Sequence, residues 1–151
     1  MKKLYEIVIK DPIDYDGKLN EHKDYIKMLN ILEKNCSYIG ITRNHEIVQK
    51  FKKDIFLEEE SSLWWGMSCP PAIKLYYIKA SKELFDFLRK YETFCKYIIS
   101  PGKIDTVVKT DFGSIDIAFF NEKDEILLKT ITHEGYIIVD KKIDELFNKF
   151  D

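Results

Sequence analysis

After Phe94 the chain is cut into short β-favouring runs by turn signals spaced too closely for crossover helices. Phe94–Ile99 is followed by Pro101-Gly102, and Ile104–Thr110 by Phe112-Gly113. Ser114–Phe120 is separated from Glu125–Thr132 only by the polar turn Asn121-Glu122-Lys123-Asp124. A parallel strand pair needs a crossover of about a dozen residues or more, whereas connections this short permit hairpins. His133-Glu134-Gly135 then turns the chain into a further run, Tyr136–Val139. The second half must therefore build antiparallel sheet, which excludes a regular alternation of strand and helix.

The first half supplies the helices. Tyr25, Met28, Leu29 and Leu32 recur at i, i+3, i+4, i+7 within Glu21–Asn35 and predict an amphipathic helix. Ser81 is a candidate N-cap for Lys82–Tyr91, whose apolar face is Leu84, Phe85, Leu88 and Tyr91. Asp140 caps a final helix carrying Ile143, Leu146, Phe147 and Phe150 on one stripe. Asn44–Ile55 suits a helix with Asn44 as cap, in competition with a hairpin at Arg43-Asn44. Leu4–Lys10 alternates and reads as a strand, with loop signals after it at Asp11-Pro12 and Asp16-Gly17. Cys36–Thr42 and Ile73–Lys79 read as strands, and Phe56–Pro71 as irregular, its two prolines leading into the strand that follows. The expected fold is α+β: a mostly antiparallel sheet with three or four helices packed mainly on one face, in a single globular domain over residues 1–151.

Composition narrows the function. Aromatic residues make up 14% and the net charge is only −2, so the chain is no candidate for disorder. No apolar run approaches the roughly 20 residues a spanning helix needs, and Glu6, Lys10 and Asp11 interrupt any signal-peptide core. A cytoplasmic protein with no membrane partner is expected. The three cysteines, Cys36, Cys69 and Cys95, are widely spaced without Cys-x-x-Cys, and are expected to be reduced and mostly buried. Arginine occurs twice, at Arg43 and Arg89, and lysine supplies the remaining basic residues. That usage, with abundant isoleucine, is expected of an AT-rich bacterial genome. Scarce arginine and a pI near 6.0 argue against nucleic acid as the partner.

Sites for chemistry are hard to find. The glycines are scattered and spell neither G-x-G-x-x-G nor a P-loop, and no G-x-S-x-G is present. Cys69, beside Trp65 and Pro70, would need one of His22, His45 or His133 at hydrogen-bond distance to act as a nucleophile. Each histidine has an acidic neighbour (Glu21, Glu46, Glu134), but adjacent side chains point apart and cannot close around a metal. A hydrolytic site would need His133 and Glu134 to converge with Asp111 and Asp116. Asp105, Asp111 and Asp116 lack the nearby acidic-x-Lys spacing of a metal-dependent nuclease. No cofactor and no metal are therefore expected.

What these readings leave is Glu58-Glu59-Glu60 followed by Leu63-Trp64-Trp65-Gly66-Met67. Tryptophan anchors interfaces by burying a large rigid surface while keeping one donor. In a strand Trp64 and Trp65 would face opposite ways, one into the core and one outward. The glutamates would steer a basic partner. Charge is also divided along the chain, with an acidic surplus from Asp111 onward against a slightly basic first part. In size and composition the chain is similar in kind to the bacterial immunity proteins of toxin–immunity pairs, and that likeness implies an acidic surface laid over a toxin's basic site. The expected function is a non-enzymatic protein-binding module, an immunity or inhibitor protein, with Glu58, Glu59, Glu60, Trp64 and Trp65 meeting a basic protein. The alternatives are a small hydrolase built on His133 and the carboxylates, and a small-molecule pocket lined by Tyr and Phe.

Overall fold

A computed structural model describes residues 3–99 and 106–149 of the chain. The Pro101-Gly102 turn, Asp105 and Phe150 lie outside the described residues. The strands are β1 (Pro12–Asp14), β2 (Tyr38–Thr42), β3 (Ile55–Trp64), β4 (Met67–Lys79), β5 (Lys96–Ile99), β6 (Thr106–Lys109), β7 (Ile117–Phe120), β8 (Ile126–Ile131) and β9 (Tyr136–Asp140). The helices are α1 (His22–Asn35), α2 (Glu46–Lys50), α3 (Lys82–Leu88) and α4 (Lys141–Lys149). Seven strands form one sheet in the order β1-β9-β8-β7-β2-β4-β3, every pairing antiparallel, and β5-β6 form a separate hairpin. The architecture is α+β, and among the described residues no helix is long and apolar enough to cross a membrane.

The helix boundaries follow local chemistry. The Ser81 hydroxyl accepts the Leu84 N–H at 3.1 Å, and Asp140 accepts the Lys142 N–H at 3.1 Å. At α2 the ambiguous stretch resolves into one short helix and a 3-10 turn, Lys52–Asp54. His45 rather than Asn44 caps that helix, its Nδ1 accepting from the Ile47 N–H at 3.2 Å. Burial pushes the His45 imidazole below its ordinary range, which keeps Nδ1 free to accept.

Period-two alternation sorts the sheet into two faces. Ile39 of β2 lies beside Ile78 of β4 and Phe119 of β7, and this face carries the helices. Tyr25, Met28, Leu29 and Leu32 of α1 are completely buried there with Leu84, Phe85 and Leu88 of α3, and Ile143 of α4 joins them. The opposite face presents Tyr38, Leu75, Tyr77, Ala118 and Phe120 and belongs to a second apolar cluster. Two irregular pieces cover it: the N-terminal segment, through Leu4, Tyr5, Ile7 and Ile9, and the tip of the β3–β4 hairpin, through Trp64 and Trp65.

Two expectations are corrected here. Leu4–Lys10 is not a strand: Leu4–Glu6 is a 3-10 turn and the segment joins no ladder. Its alternation is nonetheless a face signal, since Ile7 and Ile9 are buried while Val8 is exposed. Phe56–Pro71 is not irregular: it holds nearly all of β3 and the start of β4. It hides its strand character because neither side of β3 is continuously apolar and because the ladder slips at Ile55/Leu57 and Ser61/Leu63.

Candidate functional site

The Trp64-Trp65-Gly66-Met67 run is the tip of the β3–β4 hairpin. Trp64 pairs with Met67, leaving Trp65-Gly66 as a two-residue turn. Both turn residues have positive φ, 51° at Trp65 and 90° at Gly66, as a type I′ turn demands. Glycine adopts this freely. For tryptophan the left-handed conformation costs roughly 1–2 kcal/mol, and burial of the indole opposes that cost. Trp65 is 1% exposed and packs edge-on to Tyr77 and Phe120, with ring centroids 6.4 and 6.1 Å away. Beneath it lies Gly40, where a Cβ would come within 2.5 Å of the indole and 2.9 Å of the Tyr77 ring. The Trp65 N–H to the Tyr5 carbonyl, 2.8 Å, ties the tip to the N-terminal segment.

The expectation that one indole faces outward is not met. Trp64 is buried as well, and its Nε1–H donates to Asp116 Oδ2 at 2.7 Å. Trp65 Nε1–H lies close to the Tyr77 hydroxyl without completing a hydrogen bond. The strand rule fails because the chain leaves the strand between the two residues.

The acidic triplet divides in the same way. Glu59 pairs with Leu75 and faces the second cluster. Its carboxylate accepts three hydrogen bonds, from the Leu4 N–H and Tyr5 N–H at 3.1 Å each and from the Tyr77 hydroxyl at 2.6 Å. Burial and the adjacent Glu59 carboxylate together hold the Tyr77 hydroxyl far above its ordinary range. Glu58 and Glu60 stand on the other face of β3 and are exposed. Lys74 makes only an exposed ion pair with Glu58, at 3.8 Å, the kind worth little to stability.

Asp116 and Lys129 complete the closure of the second face. Asp116 is 2% exposed, and its Oδ1 receives no hydrogen bond. Burial raises its carboxyl above the ordinary range, with the Trp64 N–H, His133 and Lys129 acting against that rise. Lys129 stands between Ala118 and Ile138 in the sheet and donates to the Trp65 carbonyl. Burial lowers its ammonium, and Asp116 opposes the lowering. Lys129 carried no signal in the sequence: it is a lysine in a β-run, and only the fold shows that it points beneath the hairpin tip.

Asp116, one of the carboxylates a hydrolytic site would need, lies within electrostatic reach of His133. His133 and Glu134 are exposed neighbours in a 3-10 turn, 3.7 Å apart, while Asp116 is committed to Trp64 and Asp111 accepts the Glu92 N–H at 3.5 Å. Among the described residues no three His, Cys, Asp or Glu side chains converge as a metal site would require. The three cysteines are unpaired, with Cys69 exposed, Cys36 half-buried and Cys95 buried. Burial pushes the thiols of Cys36 and Cys95 up to about 12. The aromatic residues pack on one another, as in the stack of Tyr91 on Phe112 at 4.2 Å. A groove of about 750 Å³ between the end of α1, α4 and the β7–β8 turn is rimmed by lysines and glutamates of mixed sign.

Exposed apolar side chains gather on β3. Phe56, Leu57 and Leu63 are 45%, 37% and 37% exposed, and β3 is the last strand of the sheet. The opposite edge, β1, is three residues long and opens with Pro12, both devices that discourage further pairing. β3 is ten residues long and has neither. No protein family, curated protein or solved structure matches the chain.

Proposed function

We propose that this chain is a non-enzymatic protein-binding module, an inhibitor or immunity protein of the bacterial cytoplasm, and that it meets a basic protein partner through the free edge of β3. One observation carries the reading. A ten-residue edge strand combines exposed Phe56, Leu57 and Leu63 with the exposed carboxylates of Glu58 and Glu60. An edge strand presents unpaired N–H and C=O groups to a partner, and exposed apolar residues among charges suit an interaction surface. In this reading Glu58 and Glu60 touch the partner, while Glu59, Trp64 and Trp65 hold the hairpin in place from behind. The partner is a protein rather than nucleic acid, since the proposed surface is acidic.

Affinity isolation from the native host tests it. Wild-type chain should recover a partner in stoichiometric amount, and Leu57→Arg with Leu63→Arg should lose it while the unfolding midpoint stays nearly unchanged. No stoichiometric partner, or equal recovery by the variant, would overturn the proposal.

A further inference from the structure

The geometry points to a binding mode: β3 accepts an extended segment of the partner as an eighth strand, and that segment alternates basic and apolar residues. This inference rests on the protein-binding reading and adds the partner's chemistry to it. In an antiparallel ribbon alternate residues turn their N–H and C=O groups away from the strand they pair with. Along β3 those groups meet no further strand among the described residues. The Leu63 amide is an exception, since the Ser61 hydroxyl accepts it at 2.9 Å, which closes the edge near the hairpin tip. The open stretch is therefore the part before Ser61.

The two faces of that stretch differ. Leu57 pairs with Tyr77 and Glu59 with Leu75, so both face the second cluster, where Glu59 is already occupied by the N-terminal segment. Glu58 pairs with Tyr76 and Glu60 with Lys74, so both face the helix side and both are exposed. An added strand would place its alternate residues beside Glu58 and Glu60 on one face and beside Leu57 on the other. Lysine or arginine suits the first set and aliphatic residues the second.

A second copy of this chain fits poorly. Two β3 strands related by a twofold axis run antiparallel, so a pairing that overlaps the acidic residues sets Glu58 against Glu58 or Glu60 of the other copy. Like charges directly opposed across strands are destabilising. The glutamates thus disfavour self-pairing and favour a cationic strand.

The probe is a short capped peptide alternating lysine and valine, compared with a peptide of the same composition whose lysines and valines are in separate blocks. The readouts are the dissociation constant and amide hydrogen exchange along β3. The alternating peptide should slow exchange at alternate amides between Leu57 and Ser61, bind about tenfold more tightly than the block peptide, and weaken with salt. Glu58→Lys with Glu60→Lys should weaken it by roughly tenfold. Equal binding of both peptides, unaltered exchange on β3, or dimerisation of the free protein through β3 would overturn the inference. Loss of a host partner in the Glu58→Lys, Glu60→Lys variant with β3 amides unprotected in the wild-type complex would overturn strand addition alone. Peptide protection with no host partner would support strand addition and contradict the proposed function.

Discussion

Glu59 and its two neighbours differ in what their carboxylates meet. Glu59 accepts two backbone N–H groups and the Tyr77 hydroxyl, whereas Glu58 and Glu60 face solvent. Glu59→Ala leaves those donors without their acceptor and should cost about 1–3 kcal/mol of unfolding free energy. Glu58→Ala and Glu60→Ala should each stay within about 0.5 kcal/mol of wild type. Denaturant titration of the three variants separates them. Asp116 gives a pH-dependent counterpart. Burial raises its carboxyl in the folded state above the ordinary carboxylate range, so protonation favours folding. The cost of the buried charge is absent at low pH and grows as pH rises through the raised value. Asp116→Asn should therefore melt higher than wild type at pH 7, with the gap closing as pH falls toward 4. A gap that widens on acidification would contradict this.

At the scale of elements, the hairpin tip depends on one glycine in a neighbouring strand. Gly40→Ala would drive a methyl into Trp65 and Tyr77 and should cost about 1–3 kcal/mol. A red shift of tryptophan emission would report the displaced indole. Elements whose side chains settle the matter locally were legible in the sequence. The stripe of α1, the Ser81 and Asp140 caps and the β7–β8 hairpin each stand close to where spacing and turn chemistry put them. The N-terminal strap and β3 were not legible, for a physical reason. Alternation at Ile7 and Ile9 reports which side is buried but not whether a ladder partner exists. β3 is an edge strand whose acidic residues hide its pairing. Sequence spacing does not place the Trp64-Trp65 pair, because positive φ at Trp65 is set by tertiary burial and not by local preference.

For the whole molecule, the two faces of the sheet are closed by different means. Helices cover one face through continuous apolar stripes. The other is covered by a strap and a folded-back hairpin, pinned by Glu59, Asp116 and Lys129. This second closure leaves β3 as a long edge strand with apolar and acidic side chains exposed together. Part of the acidic surplus of the later part of the chain is engaged within the fold. Asp116 is buried, Asp124 accepts the Tyr38 hydroxyl at 2.7 Å, and Asp144 accepts the Tyr15 hydroxyl at 2.5 Å. We propose docking at β3, where apolar and acidic side chains are exposed together, rather than at the C-terminal face. Amide hydrogen exchange over the whole chain, free and bound to the partner isolated from the host, tests that assignment most directly. Protection should concentrate on β3, strongest between Leu57 and Ser61, and leave α1, α4 and the β7–β8 turn unchanged. Protection centred on α4 or the β7–β8 turn, with β3 exchanging as in the free protein, would contradict it.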